Sequence, residues 1–242
     1  MESPCWMKPE VLLDARTPPA VFVVDDDVTV REALDLIVRR AGWNAVTFEC
    51  AAEFLAYERP KLPSCLILDV RLLDLNGLEV QRRIATDGDC LPIVFISGYS
   101  DIGLTVRAMK AGAVGFLTKP LGDECLLSTI EEAIGRSRIA LAKETEARVL
   151  RSRYGSLSRR EREVMDLVVS GCRNRQVALH LGISEITVKA HRGRVMRKMG
   201  AASLADLVGM HARLCIESWP KTRPSGEAPP RGGPPVARGA PR

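Results

Sequence analysis

Five short apolar runs, each halted by polar residues, recur through the first half of this chain. They restrict its fold more than any other feature. Residues 20–24 stop at three aspartates, 65–68 at Asp69, 93–96 at Ser97, and 114–117 at Thr118-Lys119-Pro120; 45–48 form a weaker fifth run. Four or five apolar residues are too few for a helix that stands alone and suit strands buried on both faces of a parallel sheet. Helix-period segments lie between them, at 30–40, 51–57, 78–84, 102–111 and 124–134. Five strands alternating with five helices predict an α/β sandwich around a parallel, doubly wound sheet.

Asp25, Asp26, Asp69, Ser97 and Lys119 fall at or just past the C-terminal ends of the predicted strands. In an open parallel sheet those ends share one edge, where ligand sites form. Three carboxylates converging there repel one another. A divalent cation relieves the repulsion, and an oxygen-only ligand set points to magnesium or manganese. Lys119 and the Ser97 hydroxyl would neutralise and hydrogen-bond further anionic oxygens, the surroundings a carboxylate needs to accept a phosphoryl group. The plainer alternative is that each strand-end aspartate caps the next helix.

V-V-D-D, L-I-L-D-V-R, F-I-S-G and F-L-T-K-P, in this order and spacing, resemble the receiver domain of two-component response regulators. The resemblance implies that Asp69 is the phosphoacceptor. It implies that Asp26 and Asp69 are direct magnesium ligands, with Asp25 acting through water and Arg71 offering its backbone carbonyl. Ser97 and Lys119 match the hydroxyl and lysine that bind the acyl phosphate, and Phe116 matches an aromatic switch; its other reading is a plain core aromatic. A cis bond before Pro120 is implied as well. The sequence departs from the family at Leu73, where a proline is usual. Losing that fixed φ predicts a looser loop after Asp69. Arg71 and Tyr99 match positions that flank the path of the attacking water, and their bulk predicts slow self-hydrolysis.

The second half carries no strand pattern. Ser158-Arg159-Arg160-Glu161 is a capping box that starts a helix, with Val164, Leu167 and Val168 at helical spacing and Gly171 as the stop. Residues 174–181 make a second helix with Val177, Ala178 and Leu181 inward. Gly182-Ile183-Ser184 makes a tight turn, and 185–199 make a third helix with Val188, Val195 and Met199 inward. A fourth helix starts at Ser203 and shows Leu204, Leu207, Val208, His211 and Leu214. Two helices joined by a short glycine turn, the second strongly basic, form a helix-turn-helix pattern. On the third helix Lys189, Gly193 and Arg197, with Ala190 and Arg194, oppose the apolar stripe. Lys189 could donate to guanine, small Ala190 and Gly193 would allow close approach, and Arg192, Arg194 and Arg197 could meet phosphates. His191, beside Val188 and Val195, reads as a packed core histidine.

The run L-S-R-R-E-R-E-V-M…G-x-x-N-R-Q-V-A-x-x-L-G-I-S-x-x-T-V-K-x-H resembles the LuxR-type helix-turn-helix. A receiver followed by this module is similar to the NarL/FixJ class of response regulators. In that class the positions matching Lys189, Ala190 and Gly193 face base edges, and the fourth helix contributes to dimerisation. The class implies a sensor histidine kinase, or a small phosphodonor, acting on Asp69. It further implies a homodimer on phosphorylation, double-stranded DNA with two half-sites, RNA polymerase as a further partner, and a cytoplasmic setting.

Charge agrees with two modules of different taste. Residues 20–136 carry 12 basic and 18 acidic side chains, whereas 157–217 carry 11 and 6. A basic half suits a polyanion such as nucleic acid. The seven cysteines lie at least 15 residues apart without a C-x-x-C, which disfavours a zinc ribbon or redox pair. No apolar run approaches the roughly 18 residues that span a bilayer. The expected organisation is a disordered leader at 1–18, the receiver at 19–137, a partly helical linker at 138–156, the DNA-binding module at 157–216, and a disordered Pro/Gly/Arg-rich tail at 217–242. Three rival readings remain at this point. One is a phosphorylation-independent DNA-binding regulator whose receiver is only a dimerisation or interaction module. Another is a phosphatase with an aspartyl nucleophile, disfavoured because Arg71 stands where its second aspartate belongs. The third is an adaptor whose second half binds protein.

Overall fold

The computed structural model describes residues 17–218 except 87, 89 and 99–101, with side chains to residue 214. The leader through residue 16, Tyr99 and the tail from 219 onward lie outside the described residues. The chain divides into two compact units, 1–146 and 147–242.

The first unit alternates β1 (Ala20–Val24), α1 (Val28–Arg40), β2 (Asn44–Phe48), α2 (Ala51–Ala56), β3 (Ser64–Asp69), α3 (Gly77–Thr86), β4 (Ile93–Ser97), α4 (Ile102–Lys110), β5 (Gly115–Thr118) and α5 (Asp123–Gly155). All strands are parallel, in the order β2-β1-β3-β4-β5. Side chains alternate between the faces of the sheet. Phe22, Val24, Leu66, Leu68 and Phe95 pack with α2, α3 and α4 residues such as Phe54, Val80 and Ala108. Val21, Val23, Ile67, Val94 and Ile96 pack with Leu34 and Val38 of α1 and Leu126, Ile130 and Ile134 of α5. Both faces are covered, which is why the strands read as continuous apolar runs.

Only the start of α5 has the expected receiver pattern. The helix continues for 33 residues to Gly155. No proline interrupts it, and its stripe gives way to exposed polar residues over 143–146 before Leu150 becomes buried again. Those last turns belong to the second unit. With α5 it contains α6 (Arg159–Val169), α7 (Asn174–Leu181), α8 (Glu185–Met199) and α9 (Leu204–Ser218). Leu150 and Leu157 join Met165, Val195, Met199, Leu207 and Met210 in one cluster. Val164, Val168, Val177, Ala178 and Val188 form the other. Of the apolar residues at helical spacing on α9, Leu207 is buried, while Leu204 and Val208 are exposed.

Candidate functional sites: a carboxylate cluster and a basic helix

The strand order reverses at β1, between β3 on one side and β2 on the other, the place where an open parallel sheet forms its ligand crevice. Asp25 follows β1 and Asp69 ends β3, so the crevice brings together two carboxylates 44 residues apart in the chain. Asp25 is fully buried, Asp69 and Ser97 nearly so, and Asp26 is half-exposed. The Lys119 ammonium lies between the carboxylates, 2.7 Å from Asp25 Oδ2 and 3.6 Å from Asp69 Oδ1. The backbone of Lys119 is placed by its N–H, which donates to Ser97 O at 2.8 Å, and the Lys119–Pro120 bond is cis.

Helix capping accounts for only one of the three consecutive aspartates. Asp27 caps α1, its Oδ1 accepting from Thr29 N at 2.8 Å. Asp25 Oδ1 instead accepts from Asp27 N at 3.0 Å. Asp69 Oδ2 accepts from Arg71 N at 3.2 Å. Burial pushes the Asp69 carboxyl above the ordinary carboxylate value, with Asp25 and Asp26 adding to the rise, while Lys119 and the Arg71 N–H oppose it. The hydrogen bond to Asp25 and the neighbouring carboxylates hold the Lys119 ammonium above its ordinary value, outweighing its own burial, which works the other way. Among the described residues no three His, Cys, Asp or Glu side chains form a closed metal-binding group.

Phe116 lies half-buried on β5, its ring centroid 6.3 Å from that of Phe95. Arg71 is exposed, and Leu73 is 89% exposed. The loop bearing Leu73 is tied down despite lacking the usual proline. Arg71 and Asn76 form an antiparallel bridge, Gly77 N donates to Val70 O, and Asp74 accepts from Ala51 N and Ala52 N at the start of α2.

Sequence reasoning overlooked three supports. Arg31 Nη1 donates to Asp25 O at 2.7 Å and clamps the β1–α1 turn. Asp74 supplies the α2 cap that Cys50 cannot. Gly77 admits α3 against the phosphoacceptor candidate, because a Cβ there would lie 2.7 Å from Asp69 O. Only Gly77 carried a local signal, as the glycine that closes the loop.

The second unit contains a two-helix corner. α7 ends at Gly182, whose φ of +63° is left-handed and suits glycine, and Ser184 caps α8 through Thr187 N. Val188, Val195 and Met199 are buried, as the spacing predicts. Lys189, Ala190, Gly193, Arg194 and Arg197 are all exposed. Arg192 differs. It is half-buried, and its Nη1 donates to Asn174 Oδ1 at 2.9 Å, tying α8 to α7. At about 100° per residue it sits only about 40° from Val188, on the inner flank. His191 is half-buried with Nδ1 unpartnered. Lys198, itself exposed, pairs with buried Glu161 at 2.7 Å and donates to Ser156 O.

Two family models match the chain. The response regulator receiver domain matches residues 21–131, and the luxR family of bacterial regulatory proteins matches 155–211. Nodulation protein W of Bradyrhizobium diazoefficiens is 46% identical over 205 residues, covering 85% of this chain and 90% of that protein. Transcriptional regulatory protein FixJ of the same organism is 37% identical over 193 residues, 80% and 94% of the two chains. The solved structure of the response regulator StyR superposes with a TM-score of 0.72 at 44% identity, covering 81% of this chain and 99% of that one. Among the described residues no helix is long and apolar enough to cross a membrane. The chain belongs to the NarL/FixJ class of two-component response regulators, transcription regulators that join a receiver to a LuxR-type DNA-binding helix-turn-helix.

Proposed function

We propose that Asp69 accepts a phosphoryl group from a sensor histidine kinase and that this switches DNA binding by the second unit. The carrying observation is the Lys119 ammonium between Asp25 and Asp69 at the carboxyl edge of the sheet. An Asp69 oxygen attacks phosphorus, the bond from phosphorus to the kinase imidazole nitrogen breaks, and that nitrogen keeps the electron pair. Lys119 then pairs with the new phosphoryl oxygens, and buried Ser97 hydrogen-bonds another. The donor set suits a hard cation, since it is oxygen-only and magnesium needs few protein ligands beside its waters. Magnesium or manganese, held by Asp25, Asp26, Asp69 and the Arg71 backbone carbonyl, would neutralise the charge gathered there. The reading assigns no turnover on other substrates. The chemistry is limited to Asp69 phosphorylation and slow self-dephosphorylation.

Ser97 and Phe116 relay the modification by biasing two arrangements of the α4–β5 region. The favoured arrangement forms a homodimer that binds two half-sites of approximate two-fold symmetry. Lys189, Ala190 and Gly193 read base edges, and Arg194 and Arg197 meet phosphates. Arg192 is offered to phosphate only if its bond to Asn174 opens. On this reading the receiver spans 19–137, the linker 138–156 and the DNA-binding module 157–216, and the protein acts in the cytoplasm, where RNA polymerase is a further partner.

The test incubates the full chain with acetyl phosphate, with and without magnesium, beside Asp69→Asn. Mass, oligomeric state and affinity for a genomic DNA pool are measured at two salt concentrations. A phosphoryl-sized mass gain, dimerisation and tighter selective binding in the wild type alone are expected. Equal DNA binding by both proteins with no mass gain would make this a constitutive DNA-binding protein.

A further inference from the structure

The exposed face of α8 is basic along most of its length but begins with an apolar side chain. Among the described residues of α8, Ile186 is the one large apolar residue left in solvent, 80% exposed in the first turn. It stands in line with the residues assigned to base edges. At about 100° per residue, Ala190, Gly193 and Arg197 lie within about 40° of Ile186 around the helix axis, and Lys189 within about 60°. Buried Val188 and Val195 lie on the opposite side. The first turn is held in place by its cap. Ser184 Oγ accepts from Thr187 N at 3.1 Å, and the two hydroxyls pair at 2.8 Å. A β-branched side chain in a helix keeps essentially one χ1 rotamer, and its Cβ leans toward the helix N-terminus. Ile186 is therefore a stiff apolar knob at the end of the helix that, in helix-turn-helix proteins, enters the major groove first.

An isoleucine neither donates nor accepts a hydrogen bond, so the polar edges open to Lys189 are closed to it. The apolar feature that a base pair presents in the major groove is the C5 methyl of thymine. We propose that Ile186 reads a thymine methyl and is a specificity-determining residue of this protein. The proposal rests on the reading of α8 as the base-reading helix, and it adds a contact that reading leaves out. The rest of the face fits the same occupant. Arg194 and Arg197, both exposed, complement phosphate, and small Ala190 leaves room for close approach beside Ile186. Ile186 precedes Lys189 by about 4.5 Å along the helix, and successive base pairs are about 3.4 Å apart. The thymine accordingly lies within about two base pairs of the base that Lys189 reads.

The test selects preferred half-sites from a random DNA pool with the full-length chain, incubated with magnesium and acetyl phosphate. Each thymine of one half-site is then replaced in turn by deoxyuridine, which lacks only the C5 methyl. Affinity is read by fluorescence anisotropy for wild type, Ile186→Ala and Lys189→Ala. At one thymine, loss of the methyl should weaken wild type roughly fourfold, the worth of one buried methyl group. The same replacement should leave the affinity of Ile186→Ala unchanged, and Ile186→Ala should bind random DNA as wild type does. Thermal melts of the two should superpose, because Ile186 belongs to neither apolar cluster of its unit. If every deoxyuridine replacement acts equally on wild type and Ile186→Ala while Lys189→Ala loses specificity, the proposal is overturned and α8 remains the base reader. Equal weakening of selected and random DNA by Ile186→Ala also overturns it. If no sequence is enriched, or Lys189→Ala keeps the full preference, the reading of α8 falls and the proposal falls with it.

Discussion

Lys119 sets the behaviour of Asp69 before any phosphoryl group arrives. Burial and two neighbouring carboxylates push Asp69 up, and Lys119 is the chief group opposing them. Lys119→Met should therefore raise the Asp69 titration further in the metal-free protein, read by NMR. It should also slow modification by acetyl phosphate by roughly 100-fold, the usual effect of deleting one charge stabiliser. An unmoved Asp69 titration contradicts the first part. The stability sign follows. A carboxyl whose folded value lies above its ordinary 3.8 favours the protonated native state, and stability falls as pH rises from 3.8 through the folded value. At neutral pH, Asp69→Asn should accordingly melt higher than wild type. Glu161 runs the other way. The Lys198 ammonium and the Ser158 N–H hold its carboxyl below the ordinary 4.5. Its contribution is present above 4.5 and is lost as pH falls through the lower folded value. Between neutral pH and that value, the second unit of Glu161→Gln should lose less stability than wild type, measured by urea titration across pH.

Helix ends and helix faces differ in how openly the sequence declares them. The Ser158–Glu161 capping box was plain in the sequence because both partners lie within one turn, and the structure forms both of its bonds. Ser158→Ala should cost the second unit about 1 kcal/mol in chemical denaturation. The α2 cap was not legible, because Asp74 reaches it from 23 residues away. The exposed face of α8 was legible from periodicity, and it carries the DNA predictions. Lys189→Ala should weaken specific binding and spare binding to random DNA. Arg194→Ala should weaken both and lower the salt slope by about one. Arg192→Ala should instead lower the melting temperature of the unit, since its guanidinium is engaged with Asn174. Fluorescence anisotropy at several salt concentrations, paired with thermal melts, separates the three.

Across the whole molecule, each unit has apolar clusters of its own, and α5 supplies Leu126 and Ile130 to the first and Leu150 to the second. Substitutions in separate units with no shared partners should add. Asp69→Asn with Ser158→Ala should give the sum of the single effects to within about 0.5 kcal/mol. The sequence by itself determined the α/β and helical halves, the parallel sheet and most of the polar set at its carboxyl edge. Those follow from local periodicity and from where apolar runs stop. Only the tertiary structure decided which charged side chains tie distant segments together. Arg31, Asp74, Arg192 and Lys198 look like surface residues in the sequence, yet each bonds to a group on another element or loop. The pairing of Gln81 with the carbonyls of Ala108 and Ala111 likewise exists only once α3 and the end of α4 are packed. A hydrogen bond between distant segments leaves no period in the chain. It is set by where packing brings two backbones, and only the folded arrangement contains that information.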